Sequence, residues 1–218
     1  MIHFGVNVRQ CKYALKLNRE EFAIINQTPS LPIFQSLVEK NAYDGSEKKY
    51  RLEWCEEYRK LCLQNFDLNM KFFSILDRER FNRAIMSFLR KNRGFEPVEN
   101  LSKYSEVEGY YLMVLDEYKQ AYIGKAYDIK RRIMQHWSRN IPFDRILFPM
   151  YAVEASCLSI DCFRALDTTR IFAWKRAEAD WVEARLIASF PKEFLCNRIG
   201  GDVTDLISAV ATLNSRKL

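Results

Sequence analysis

Residues 109–136 constrain this chain most, because they read as two short strands, a turn and a helix in immediate succession. Leu112, Met113, Val114 and Leu115 form an apolar, β-favouring run. Asp116-Glu117-Tyr118-Lys119-Gln120 is a polar turn, and Ala121-Tyr122-Ile123 resumes the strand before Gly124 breaks it. Asp128 is placed to cap a helix in which Ile129, Ile133 and Trp137 recur every four residues as a buried stripe. Arg132 and His136 share that spacing, so they stand one above the other beside the stripe. Tyr111 and Tyr122 belong on one face of the hairpin, since alternate residues of paired strands share a face. Two phenols, Lys125, Arg132 and His136 thus converge on one strand–turn–helix, a set suited to a phosphate rather than to a core.

The rest of the chain is read around that stretch. Its 218 residues make one large domain or two small ones, with enough length for a sizeable core. The apolar, β-favouring residues of 145–155 suit a third strand beside the hairpin, and a long helical region is expected from Ser159 through Phe190, ending at Pro191. Gly200-Gly201 reads as a turn, with Asp202 or Thr204 capping a last helix that contains Leu206, Ile207, Val210 and Leu213. The expected fold class is α+β, a small three-stranded antiparallel sheet flanked by helices over 105–218, preceded by a mostly helical N-terminal domain over 1–104. In that first domain, 1–8 reads as a short strand, Ile33 to Val38 begins a helical pattern, and 47–63 is a periodic helix interrupted at 65–69. A further helix over 71–93 ends at Gly94 as its C-cap, and 95–105 is the boundary, too stiff in composition for a free linker, so the two halves should pack together.

Charge and cysteine content narrow the partners. A formal charge of +6 favours an anionic partner without demanding one. The segment 80–93 holds Arg80, Arg83, Arg90, Lys91 and Arg93, with no acidic residue, around an apolar face of Phe81, Ile85, Phe88 and Leu89. These side chains either contact phosphates or form a solvated helix end that meets the helix dipole. Neither a signal-peptide core nor a bilayer-length apolar run is visible, so a cytoplasmic protein with no membrane partner is expected. Cys11, Cys55, Cys62, Cys157, Cys162 and Cys196 include no Cys-x-x-Cys pair, and the histidines are His3 and His136 alone. That spacing argues against zinc and for free thiols.

The ordered set Gly109-Tyr110-Tyr111, Tyr122-Ile123-Gly124-Lys125, Arg132 and His136, followed by Glu183 and Asn197, resembles the GIY-YIG nuclease superfamily. The resemblance covers about half the chain, residues 106–201. It departs at Tyr110, where the family carries isoleucine or valine; this residue should point away from the site. The resemblance implies a metal-dependent endonuclease hydrolysing phosphodiester bonds in DNA, with RNA as an alternative substrate and a non-catalytic DNA-binding protein as an alternative role. It implies Glu183 as the ligand of a single Mg²⁺ or Mn²⁺, Arg132 as the grip on the phosphate, and Asn197 as a brace of the hydrogen-bond network. His136 would orient Tyr111 or the water, or shuttle a proton. Tyr111 is the first candidate for general base and Tyr122 the second. Holding a free phenol as phenolate at pH 7 costs roughly 4 kcal/mol, which Lys125, Arg132 and the metal are placed to offset. Arg131, beside Arg132, joins Arg80, Arg83, Arg90, Lys91 and Arg93 as a candidate nucleic-acid contact.

Overall fold

The computed structural model describes residues 1–8, 14–30, 42–148, 151–177 and 180–198. The helical patterns expected from Ile33 and beyond Gly201 lie outside these residues. Two small antiparallel hairpins, β1 (Ile2–His3) with β2 (Val6–Asn7) and β3 (Tyr43–Asp44) with β4 (Lys49–Tyr50), come first, with the one-turn helix α1 (Arg19–Phe22) between them.

Helix α2 (Leu52–Ile75) runs without a break through the expected interruption at 65–69. Asn65 and Asn69 turn inward instead: the Asn65 Nδ2 donates to the carbonyls of Val153 and Ser156 at 2.7 Å each, and Asn69 Nδ2 donates to the Asn65 carbonyl at 2.9 Å. An asparagine in a helix costs up to about 0.7 kcal/mol, and each such buried bond returns about 1 kcal/mol, so tertiary bonding outweighs propensity here. The helix expected over 71–93 is in fact divided. Leu76 is extended, and Asp77 caps α3 (Arg78–Lys91) by accepting from the Arg80 amide at 2.6 Å. That helix ends at Asn92 rather than at Gly94. Gly94 serves a close approach: a Cβ there would stand 2.2 Å from the Trp174 Nε1.

The main sheet has four antiparallel strands in the order β5-β8-β6-β7. They are β5 (Glu96–Pro97), β6 (Gly109–Leu115), β7 (Gln120–Ala126) and β8 (Arg170–Lys175); helix α4 (Ile129–Ser138) follows β7 and helix α5 (Asp180–Ala188) follows β8. Every residue of β6 is buried, because both of its faces are covered. On one face Tyr111, Met113, Leu115, Ile171 and Ala173 pack with Ile129, Ile133 and Trp137 of α4 and with Phe66, Phe72 and Phe73 of α2. On the other, Tyr110, Leu112, Val114, Ala121 and Ile123 pack with Phe81, Ile85 and Phe88 of α3 and with Val182 and Leu186 of α5. Residues before 105 therefore contribute to both faces and, through β5, to the sheet itself.

Four further expectations are corrected. The sheet has four strands rather than three, because β5 from the N-terminal half pairs with β8. Strand β7 runs through Gly124 to Ala126 instead of breaking there, since Gly124, Lys125 and Ala126 keep their pairing with Tyr111, Tyr110 and Gly109. The strand beside β6 is β8, not 145–155. In the latter stretch the amides of Leu147 and Phe148 donate to side chains, the Tyr58 hydroxyl and Ser156 Oγ, and Ile146 and Leu147 bury against Trp54 and Tyr58 in a separate cluster. Nor does a helix start at Ser159. Ser159 Oγ and the Asp167 carboxylate accept local amide hydrogens and stabilise two 3-10 turns, Ile160–Cys162 and Ala165–Asp167, before the chain enters β8. Cys55, Cys62, Cys157, Cys162 and Cys196 are free thiols. Among the described residues no helix is long and apolar enough to cross a membrane.

Candidate active site

The β6–β7 register sets Tyr111 opposite Gly124 and Met113 opposite Tyr122, so the two phenols are diagonal neighbours on one face, with ring centroids 6.1 Å apart. Gly124 makes this possible. A Cβ there would lie 2.5 Å from the Tyr111 hydroxyl and 2.8 Å from the Tyr122 ring, so only glycine lets the Tyr111 hydroxyl cross the β7 backbone. Tyr110 turns to the opposite face, 6.1 Å from the Trp174 ring, as its position implies.

Asp128 caps α4, accepting from the Arg131 amide at 2.8 Å, and the Ile129, Ile133, Trp137 stripe seats the helix on the phenol-bearing face. One helical turn apart, Arg132 and His136 then meet the tyrosines. His136 is 2% exposed; its Nε2 lies 2.8 Å from the Tyr111 hydroxyl and its ring is edge-on to Tyr122 at 5.0 Å. Its Nδ1 lies 2.5 Å from Asp161 Oδ1, and Arg139 Nη1 lies 3.6 Å from Asp161 Oδ2. Asp161 escaped the sequence reading. It sits in the 3-10 turn capped by Ser159, a pattern that reads equally well as a helix start, and its partner is 25 residues away.

Electrostatics bind the group together. Burial pushes the Tyr111 hydroxyl well above the usual phenol range and the neighbouring Tyr122 adds to this, while Arg132 opposes it by its charge and a hydrogen bond. Burial likewise raises Tyr122; Arg132 again opposes, and the charges of Glu183 and Asp161 add to the rise. His136 is depressed below the ordinary histidine value by burial, which outweighs its hydrogen bond to Asp161. Asp161 is held below the usual carboxylate value, because bonding to His136 and the charges of Arg139 and Arg132 overcome its burial.

No protein-family model matches the chain, and no curated protein or solved structure matches it. The site therefore rests on its own geometry.

Glu183 joins the phenols from α5. Val182 and Leu186 of that helix enter the core against Ile123, and the Glu183 carboxylate is buried where its charge raises the pKa of both tyrosines. Among the described residues no three His, Cys, Asp or Glu side chains converge as metal ligands. A lone carboxylate leaves most of a cation's shell to water or substrate oxygen, an arrangement that hard cations accept. Asn197 spends its amide on the β7 backbone beside Tyr122, accepting from the Ile123 amide at 3.1 Å and donating to the Ile123 carbonyl at 2.8 Å. Together with the Cys196 to Ala121 bond at 3.0 Å, it covers the outer edge of the sheet.

The remaining candidates lie apart. Lys125 pairs with Tyr110 across the ladder and falls in the alternation with Ala121 and Ile123, on the pleat opposite the phenols. Arg80 pairs with Glu193 at 3.2 Å and Arg83 with Glu79 at 3.4 Å; Arg90, Lys91 and Arg93 are exposed. All five belong to α3 or its end, across the sheet from α4 and its exposed Arg131, so the basic residues form two separate sets.

Proposed function

We propose that this chain is a metal-dependent endonuclease that hydrolyses phosphodiester bonds in DNA through a GIY-YIG-type site. The observation that carries the reading is the buried Tyr111–His136 hydrogen bond, flanked by Tyr122, by the Arg132 guanidinium and by the Glu183 carboxylate. The succession β6, β7, α4, β8, α5 and the antiparallel run β7-β6-β8 within the four-stranded sheet support the reading.

Each residue has a role that its surroundings permit. Arg132, half-buried beside both phenols, offers the forked donor geometry that matches phosphate oxygens. Tyr111 is the base for the attacking water. A phenol buried this deeply stays protonated at rest, since even a free phenol costs roughly 4 kcal/mol to ionise at pH 7. Its proton leaves only as the reaction proceeds, and His136 Nε2 is the group in place to receive it. Tyr122, the more open phenol, lies where substrate and water would meet Arg132. Asn197 keeps Tyr122 in register through its neighbour Ile123. Glu183 would hold a single Mg²⁺ or Mn²⁺, which when bound supplies Lewis-acid stabilisation of phosphoryl and leaving-group charge.

Purified protein with Mg²⁺ is expected to cut at least one substrate among plasmid, single-stranded and branched DNA, measured by gel electrophoresis. Cleavage confined to RNA would move the substrate class. Binding of DNA without cleavage of any substrate would leave a DNA-binding protein that keeps the fold.

A further inference from the structure

We propose that Asp161 is a positioning residue that fixes His136 in its Nδ1–H form, so that the bare Nε2 faces Tyr111 and takes its proton. The inference rests on the reading of Tyr111 as the base. An ionised carboxylate has only acceptor sites, so across 2.5 Å the Nδ1 of His136 must be the donor. A neutral imidazole carries one N–H; with that proton on Nδ1, Nε2 presents a lone pair. Across 2.8 Å the Tyr111 hydroxyl must then be the donor. The opposite tautomer would set one lone pair against the Asp161 carboxylate and would point Nε2–H at Tyr111, so that Nε2 could not take the phenol's proton.

The surroundings of Asp161 are built to hold this direction. Ser159 Oγ accepts from the Asp161 amide at 3.3 Å and buried Ile160 and Cys162 fix the turn on either side. Arg139 lies 3.6 Å from the other carboxylate oxygen. The proton balance is complete within these groups. As the attacking water loses a proton to the Tyr111 oxygen, the Tyr111 O–H bond breaks and an Nε2–H bond forms. The resulting imidazolium keeps its Nδ1–H on Asp161. The same logic orders serine–histidine–aspartate triads, with a phenol here in place of the serine hydroxyl.

The test is the histidine tautomer, read by ¹⁵N NMR on the full chain. The sequence has only two histidines, and His3 is a built-in reference of opposite tautomer, because its Nε2 lies 3.0 Å from the Thr168 carbonyl and must donate. Wild-type His136 is expected as Nδ1–H. In Asp161→Asn, Arg139 favours the amide oxygen, which leaves the amide N–H₂ toward Nδ1 and shifts His136 to Nε2–H. The single-turnover cleavage rate should fall about 10² to 10⁴-fold with substrate binding unchanged. An Nε2–H tautomer in the wild type overturns the proposal, even if the Asn variant fails to fold. So does an Asn variant that keeps both tautomer and rate. The spectrum needs no substrate, so a wild-type protein that cuts nothing would refute the nuclease reading while leaving the Asp161 assignment to stand or fall on the tautomer.

Discussion

Tyr111 and Tyr122 differ in what surrounds their hydroxyls. Tyr111 is wholly buried and bonded to His136, whereas Tyr122 is half-buried and faces the His136 ring edge-on. Replacing a general base lowers the rate by about 10² to 10⁴-fold, and Tyr→Phe removes the hydroxyl while keeping the ring. Tyr111→Phe should lose that much in single-turnover cleavage, and Tyr122→Phe less. The pH profile adds a sign. His136, depressed by burial, is neutral at pH 7 and can accept a proton; as pH falls through its lowered pKa it becomes charged, and the rate should drop on the acid side. Tyr111→Phe should flatten that acid limb, since the histidine then has no proton to receive. A dead Tyr122→Phe beside a near-normal Tyr111→Phe would transfer the base to β7.

At the scale of elements, α3 separates local chemistry from possible contact with nucleic acid. Its apolar face is spent on the sheet, and Arg80 and Arg83 are paired with carboxylates, which leaves Arg90, Lys91 and Arg93 exposed at its end. If these three touch phosphates, changing them to alanine should weaken DNA binding and reduce its salt slope by about one unit per lost contact. An unchanged slope would make them a solvated helix end. Elements were legible in the sequence where one local rule decided the outcome. The hairpin and α4 follow from period-two and four-residue spacing and the Asp128 cap, whereas Gly124, which reads as a strand end, lies paired within β7. The third strand was not legible, because 145–155 and β8 are both apolar and β-favouring. What separates them is that Leu147 and Phe148 find side-chain acceptors, a long-range fact. Asp161 was hidden for the same reason, and Asn65 and Asn69 marked a break only because their partners around Ser156 were unseen.

Across the whole molecule, the candidate site depends on residues far from it in sequence. Phe66, Phe72, Phe73, Leu101 and Tyr104 cover the phenol-bearing face, and Phe81, Ile85, Phe88 and Phe95 cover the other. A fragment of residues 105–218 would expose both, so it should melt without a cooperative transition and bind hydrophobic dyes. A sharp calorimetric transition in that fragment would show that it folds alone. The central claim, that these groups form a phosphodiester-cleaving site, is tested most directly at Glu183. Glu183→Gln removes a buried charge that raises both phenols, so by electrostatics alone it should ease their ionisation. Loss of activity in that variant would therefore isolate the carboxylate's role as the cation's ligand. The measurement is Mg²⁺-dependent single-turnover cleavage by wild type and Glu183→Gln, with DNA binding followed by fluorescence anisotropy. The account predicts cleavage by the wild type, none by Glu183→Gln, and equal binding by both; cleavage by Glu183→Gln at the wild-type rate would contradict it.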